Sequence, residues 1–196
     1  MANRSRGFPP IAAPDARVLI LGSLPGQVSL ARRQYYAQPH NAFWRIMGAL
    51  FDAGAEVPYE ERTARLIAHR IALWDVCKAA ARSGSLDASI ELDTVIVNDF
   101  RGFFRAHPAI ELVCTNGGTA HRLFRQRVLP RLPATLRALR IEPLPSTSPA
   151  HAAMRFEQKL DRWRTVLLAT APASGRSRQD LEGDTSGFVG DGDDFR

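Results

Sequence analysis

A recurring unit constrains this chain more than any other feature: a short apolar run that empties into a polar loop and is followed by a helical pattern. Arg17-Val-Leu-Ile-Leu21, Ile71-Ala-Leu-Trp-Asp-Val76, Glu111-Leu-Val-Cys-Thr115 and residues 139–144 are five or six residues long, too short for helices, and read as strands. Between them, apolar residues at Phe43, Ile46, Met47 and Leu50 recur at helical spacing and predict a helix over 42–51, with Asn41 placed to cap it. Further helices are expected over 59–69, 99–106 (stopped by Pro108), 119–128 and 154–169, while residues 82–97 are rich in turn formers and fit no element. Strands alternating with helices predict an α/β protein with a parallel sheet covered on both faces. Ligands in such a fold collect at the carboxyl ends of the strands. Four loops lie there: residues 22–41, 75–87, 116–118 and 145–150.

Charge narrows the partner. The 196 residues carry a net +6, with 24 Arg against 2 Lys, but residues 172–196 hold six acidic and three basic side chains. The remaining 171 residues therefore hold 23 basic and 14 acidic groups, a surplus of +9. A basic body of this kind suits a polyanion, nucleic acid being the commonest, although scattered solvated arginines give the same count. From Pro172 onward the chain turns to Gly, Ser and Asp without periodicity, which predicts a disordered acidic tail behind a domain spanning 1–171.

Other classes drop out. Two cysteines, Cys77 and Cys114, cannot build a four-cysteine cluster or a disulfide framework, and are expected as free thiols of a reducing cytoplasm. No run of 18 apolar residues exists and the opening residues lack the apolar stretch of a leader, so a cytoplasmic protein away from membranes is expected. His40, His69, His107, His121 and His151 form no metal-ligand spacing, and Gly22-Ser-Leu-Pro-Gly26 matches neither a dinucleotide fingerprint nor a P-loop.

The loops themselves suggest a base slot. Tyr35-Tyr36-Ala-Gln-Pro-His-Asn41-Ala-Phe43-Trp44 places aromatic rings beside amides, the combination that stacks on a planar base and reads its edge. Phe43 and Trp44 fit the helix core, whereas two adjacent tyrosines in a loop have less reason to be buried together. Ser146-Thr-Ser148, leading toward the last helix, can either cap it or hold a phosphate.

Taken together these segments resemble the uracil-DNA glycosylase superfamily, and within it the hypoxanthine-DNA (deoxyinosine) glycosylase branch. The resemblance runs over about residues 17–168. It is carried by Leu19-Ile-Leu-Gly-Ser-Leu-Pro-Gly26, Ser29-Leu30, the Tyr35–Ile46 stretch, Leu73-Trp-Asp-Val76 and Gly84-Ser-Leu-Asp87. Asn98-Asp-Phe100, Asn116-Gly-Gly-Thr-Ala120 and Ser146-Thr-Ser-Pro-Ala150 complete it. It implies a three-layer α/β/α fold with a short central parallel sheet. It also implies removal of a deaminated base from DNA by flipping and N-glycosidic hydrolysis, without metal or cofactor and by a monomer. On the same basis Asn41 orients the attacking water, Tyr36 and Tyr35 stack on the base, the backbone amides around Ser23 and Asn116 meet its oxygens, and Asp75 meets its edge or the water. Ser146, Thr147 and Ser148 grip phosphates. His151 joins them at the DNA backbone or, like Met154, fills the vacated stack, since Ala150 lacks the bulk.

Two departures bear on the chemistry. Leu24 stands where many members of the superfamily place a water-activating Asp or Asn, and Ser146 where others place a base-contacting His or Asn. Two rival readings follow: a mismatch-specific uracil-DNA glycosylase, whose Pro39-His-Asn41-Ala-Phe-Trp44 stretch is similar, and a non-catalytic DNA-binding protein of the same fold. A nucleotide-binding protein that ignores polymer fits the basic body less well.

Overall fold

The computed structural model of the protein describes residues 4–169, so the expected acidic tail at 172–196 lies outside the described residues. Its centre is a four-stranded, wholly parallel sheet in the order β3-β2-β6-β7, built from β2 (Val18–Gly22), β3 (Ile71–Asp75), β6 (Leu112–Asn116) and β7 (Arg140–Leu144). Alternation along β2 and β3 sorts their side chains between two cores. Val18, Ile20, Ile71 and Leu73 face one, and Leu19, Leu21, Ala72 and Trp74 the other.

Helices cover both faces, which gives the three layers. On the first face lie α2 (Phe43–Phe51), α3 (Tyr59–Ala68) and α7 (Phe156–Leu168), contributing Phe43, Ile46, Met47, Leu66 and Trp163. On the second, α4 (Phe100–Ala106) and α5 (Gly118–Leu123) bring Phe100, Phe103, Phe104 and Leu123, and a π-helical turn over Phe124–Val128 adds Phe124. Asp99 caps α4 by accepting a hydrogen bond from the Gly102 amide at 2.9 Å. Asn41 caps α2 from one position further out than expected: the helix begins at Phe43, and the Asn41 side-chain oxygen accepts from the Phe43 N–H at 3.0 Å.

Three strands and two helices are absent from the sequence pattern. Residues 75–87, expected as a strand-end loop, contain β4 (Cys77–Ala81), which pairs antiparallel with β1 (Arg4–Arg6) and β5 (Ile96–Val97) in a second small sheet. Its Cys-Lys-Ala-Ala-Ala sequence neither alternates nor favours strands, and the partner strands supply the order. A short α1 (Gln27–Arg32) interrupts the long 22–41 loop, and a one-turn α6 (Ala134–Arg137) precedes β7. The outer edge of β3 is closed by Ile11, which exchanges both backbone hydrogen bonds with Leu73 at 2.9 and 2.8 Å. No helix of the described residues is long and apolar enough to cross a membrane.

Candidate active site

The carboxyl ends of the four parallel strands open into one cleft of about 620 Å³, within the size range of small-molecule sites. Its walls are the 22–29 loop with the start of α1, Tyr35 to Asn41, Asp75, the 85–88 loop, Asn116 to Thr119, and Ser146 to His151. The topology thus gathers nearly all the residues singled out from sequence.

Tyr36 is the aromatic platform. It sits at φ 53°, a left-handed conformation that bulky residues rarely adopt. Its ring stacks on buried Phe43 with centroids 4.0 Å apart and planes 21° apart, and the residue borders the cleft. The hydroxyl is sealed from solvent and has no hydrogen-bond partner; burial and the neighbouring Asp75 hold it protonated well above the usual phenol range. Tyr35 does not share the platform. It is only 3% exposed, donates its hydroxyl to the Pro9 carbonyl at 3.2 Å and packs edge-on against Phe8. Its backbone amide and carbonyl hold the Tyr59 hydroxyl and the Trp44 indole N–H. Tyr35 therefore borders the cleft mainly as a core pillar, and Tyr36 presents the more exposed ring there.

Asn41 lines the same cleft, half-buried, with its carbonyl oxygen fixed by the Phe43 amide. A carbonyl oxygen has a second lone pair, so this bond orients the group without exhausting it. Such a side chain can align a water but cannot take its proton.

The floor of the cleft is acidic. Asp75 ends β3 at 3% exposure, and its Oδ2 has no hydrogen-bond partner. Burial first, then the charge of Asp87, pushes its carboxyl up to about 8, partly offset by Arg82. Gly22 makes this packing possible, because a Cβ there would lie 2.3 Å from Asp75 Oδ1 and 3.0 Å from the Tyr36 hydroxyl. Asp87 and Arg82 are not among the residues singled out from sequence. Ser23 donates its hydroxyl proton to Asp87 Oδ1 at 2.6 Å, a bond that does not touch the expectation placed on the backbone amides around it. Arg82, fully buried, donates to the Leu24 carbonyl at 3.2 Å and to that of Pro25, and stands 3.9 Å from Asp87. The only sequence signal for Asp87 is its place in Gly84-Ser-Leu-Asp87. Arg82 carries none, being one arginine among 24. Leu24 packs into the second core, so the missing acid at that position is not replaced by a polar contact.

Asn116 and Thr147 form a clasp. Asn116 Nδ2 donates to Thr147 Oγ1 at 2.8 Å and its Oδ1 accepts from the Thr147 N–H at 2.9 Å. Gly117, at φ 93°, lets the Ser146 loop approach; a Cβ there would meet the Ser146 Cβ at 2.9 Å. Thr147 is 1% exposed, so the expectation that it grips phosphate is corrected: its role is internal. Asn116 retains one amide hydrogen for the cleft at most. Ser146 and Ser148 stay at the surface of the cleft, each accepting a backbone N–H (from Ser148 at 3.2 Å and from Ala150 at 3.3 Å) with its own hydroxyl proton still available. His151 borders the cleft half-buried, and its carbonyl accepts from the Lys159 ammonium at 2.8 Å, which ties the loop to α7. Met154 is half-buried and does not line the cleft.

Comparison with known proteins agrees with this geometry. The family model described as the Uracil DNA glycosylase superfamily matches residues 9–170. A protein of Methanosarcina acetivorans named hypoxanthine DNA glycosylase is 41% identical over 116 residues, 59% of this chain and 72% of that protein. Its namesake from Methanosarcina barkeri is 38% identical over 115 residues, 58% and 72% of the two chains. A solution NMR structure from Methanosarcina acetivorans, put forward as a uracil DNA glycosylase, superposes with a TM-score of 0.69 at 32% identity. It covers 86% of this chain and 99% of that one. A match across nearly the whole described chain, joined to a strand-end cleft with a stacking platform and a fixed amide, places this protein in the uracil-DNA glycosylase superfamily.

Proposed function

We propose that the protein is a DNA-deoxyinosine glycosylase that hydrolyses the N-glycosidic bond of a flipped hypoxanthine nucleotide and leaves an abasic site. The observation that carries this reading is the pairing of Tyr36 with Asn41 along one cleft: a ring backed by Phe43 on one side, and an amide oxygen oriented by the Phe43 N–H. The relatives named hypoxanthine DNA glycosylase supply the base. We assign the catalytic unit to residues 1–171 and take it to act as a monomer.

The chemistry follows from the bond. As the C1′–N bond breaks, its electron pair leaves with the base and positive charge spreads over the sugar. Water aligned by Asn41 adds its oxygen to C1′, its proton passes to solvent, and the departing base takes up a proton. No side chain of the cleft needs to act as a strong base if bond breaking runs ahead of attack. Tyr36 holds the flipped base by its ring face. Asp75 lies at the base edge, Ser23 and Asn116 shape the walls through Asp87 and Thr147, and the Ser146 and Ser148 hydroxyls meet flanking phosphates beside His151.

Oligonucleotides bearing hypoxanthine, uracil, xanthine or only undamaged bases, scored for alkali-labile sites, test this reading. Cleavage at hypoxanthine above all others is expected. Cleavage confined to uracil mismatches, or duplex binding without any cleavage, would overturn it.

A further inference from the structure

Three buried polar atoms around the cleft floor lack a hydrogen-bond partner: Asp75 Oδ2, the Tyr36 hydroxyl and Arg82 Nε. Buried polar atoms are nearly always satisfied, so an orphan carboxyl in a residue that lines the cleft calls for a ligand. The other carboxyl oxygen, Asp75 Oδ1, lies 2.3 Å from the Cβ position that Gly22 lacks. The cation that could neutralise Asp75 is engaged elsewhere, since Arg82 serves the Leu24 and Pro25 carbonyls and faces Asp87. A buried carboxyl that accepts no hydrogen bond and borders a second carboxylate keeps its proton. In that form it donates as well as accepts; ionised, it could only accept.

A donor at this place selects its base. Hypoxanthine and other 6-oxopurines present two adjacent acceptors, O6 and N7, whereas adenine offers N7 beside an amino donor. We propose that Asp75 works as a neutral carboxylic acid that donates to the O6–N7 edge of a flipped 6-oxopurine stacked on Tyr36. The same donor stabilises the negative charge that edge gains as the base departs, because donors aimed at developing charge act more strongly in the transition state than in the ground state. The Asp75 proton is shared in a hydrogen bond and is not transferred. This rests on the glycosylase reading above and adds to it the base class and its protonation requirement. The edge does not separate hypoxanthine from guanine; the cost of extracting a well-paired guanine does.

The groups facing Asp75 come from every element around it: Tyr35 and Tyr36 before α2, Tyr59 of α3, Cys77 of β4, Arg82 just after β4, and Asp87 beyond it. The tyrosines and Cys77 are all pushed up, Cys77 to about 12, so Asp75 is the group that titrates as pH rises through about 8, with Asp87 acting on it as a neighbouring charge.

Three measurements on the full chain decide it. The infrared spectrum of the parent at about pH 6 should contain a protonated-carboxyl stretch that Asp75→Asn lacks and that disappears with a midpoint near 8. Free hypoxanthine should bind at least about tenfold tighter than adenine below that midpoint and lose its preference above it. Single-turnover excision of hypoxanthine should fall about tenfold per pH unit above the midpoint in the parent, stay flat in Asp75→Asn, whose amide still donates, and drop about a hundredfold in Asp75→Ala. Asp87→Asn should move the parent's fall to lower pH, since it removes the charge that helps Asp75 keep its proton. Absence of the band, equal binding of the two bases, or an unchanged pH fall in Asp75→Asn overturns the proposal. Spectrum and base binding do not require turnover: if both behave as described while no hypoxanthine is excised, the neutral Asp75 donor stands and the glycosylase reading falls. Should Asp75→Ala fail to fold, the near-isosteric Asp75→Asn and the parent's spectrum still decide between these outcomes.

Discussion

Replacing Asn41 with Ala separates the capping role that the structure shows from the water-aligning role proposed for the same side chain. The first is mechanical: the Asn41 oxygen caps α2 through the Phe43 N–H at 3.0 Å. Losing such a cap costs about 0.5–2 kcal/mol. For a chain of this size, each kcal/mol corresponds to about 2–4 °C in Tm. The helix itself persists, because Phe43, Trp44, Ile46 and Met47 are buried against the sheet. The second role is chemical: without an oxygen to align water, excision should slow by two orders of magnitude or more, or ~3 kcal/mol of barrier. The two magnitudes do not overlap in kind, since a protein destabilised by about 1 kcal/mol remains folded at 25 °C and unfolding cannot account for a hundredfold loss. Thermal melts, single-turnover excision and binding to a hypoxanthine duplex should therefore give a small Tm drop, a large rate loss and retained affinity. Asn41→Asp sharpens the comparison. It caps as well as Asn, so its Tm should match the parent, yet it sets a negative charge beside the departing base and should change both rate and base preference. Full excision by a folded Asn41→Ala protein would refute the assignment.

Three further outcomes are expected. Asp75→Asn should change stability in a pH-dependent way: a folded carboxyl raised to about 8 from the ordinary 3.8 supports the fold fully below the unfolded value and progressively less as pH rises toward 8. The variant should therefore gain on the parent by up to about 1.4 kcal/mol per pH unit between these limits, and urea melts differing by a constant amount from pH ~5 to ~8 would show an ordinary carboxylate. Tyr36→Phe should keep stacking and, by removing an unpartnered buried hydroxyl, match or exceed the parent in Tm while excising hypoxanthine at close to the parent rate; Tyr36→Ala should lose ~1–3 kcal/mol of base binding, and equal defects in the two would discard stacking. Affinity for duplex should fall linearly with log salt at about −0.9 per phosphate contacted, with three to five contacts expected; binding indifferent to salt would count against a phosphate-tracking face.

What sequence makes legible depends on how strongly local pattern dictates structure. The strands over 18–22, 71–75 and 112–116 are fully buried apolar runs, and such runs have few alternatives to the centre of a parallel sheet. Phe43 and Trp44 are readable as core from helical spacing. Cys77–Ala81 is not readable as a strand, since its order comes from Arg4–Arg6, more than seventy residues away in the chain. Within the site, residue types announce the chemistry but not the wiring. Tyr35 and Tyr36 are adjacent, yet the left-handed turn at Tyr36 sends one ring into the core and leaves the other at the cleft. Thr147 sits between two serines of the same hydroxyl chemistry and is the one turned inward. The Asp75–Asp87–Arg82 grouping depends on β4 folding back beneath the 22–26 loop, so no spacing rule could assemble it.

The Asn116–Thr147 clasp also determines where this protein can change over evolutionary time. The loop after β7 is fastened at Thr147, which holds Asn116 with its amide and hydroxyl and receives the Ala42 N–H on its carbonyl at 2.9 Å. Everything upstream of that rivet is locked to the base slot and to the start of α2. Downstream, Pro149, Ala150, Ala152 and Ala153 are exposed, up to the point where Lys159 catches the His151 carbonyl. Lengthening or recharging that free span would alter the grip on the DNA strand without disturbing the geometry around Asn41. The fold therefore separates an inner ring held fixed by its own bonding from an outer segment on which new strand preferences, single- or double-stranded, can be tried at little structural risk.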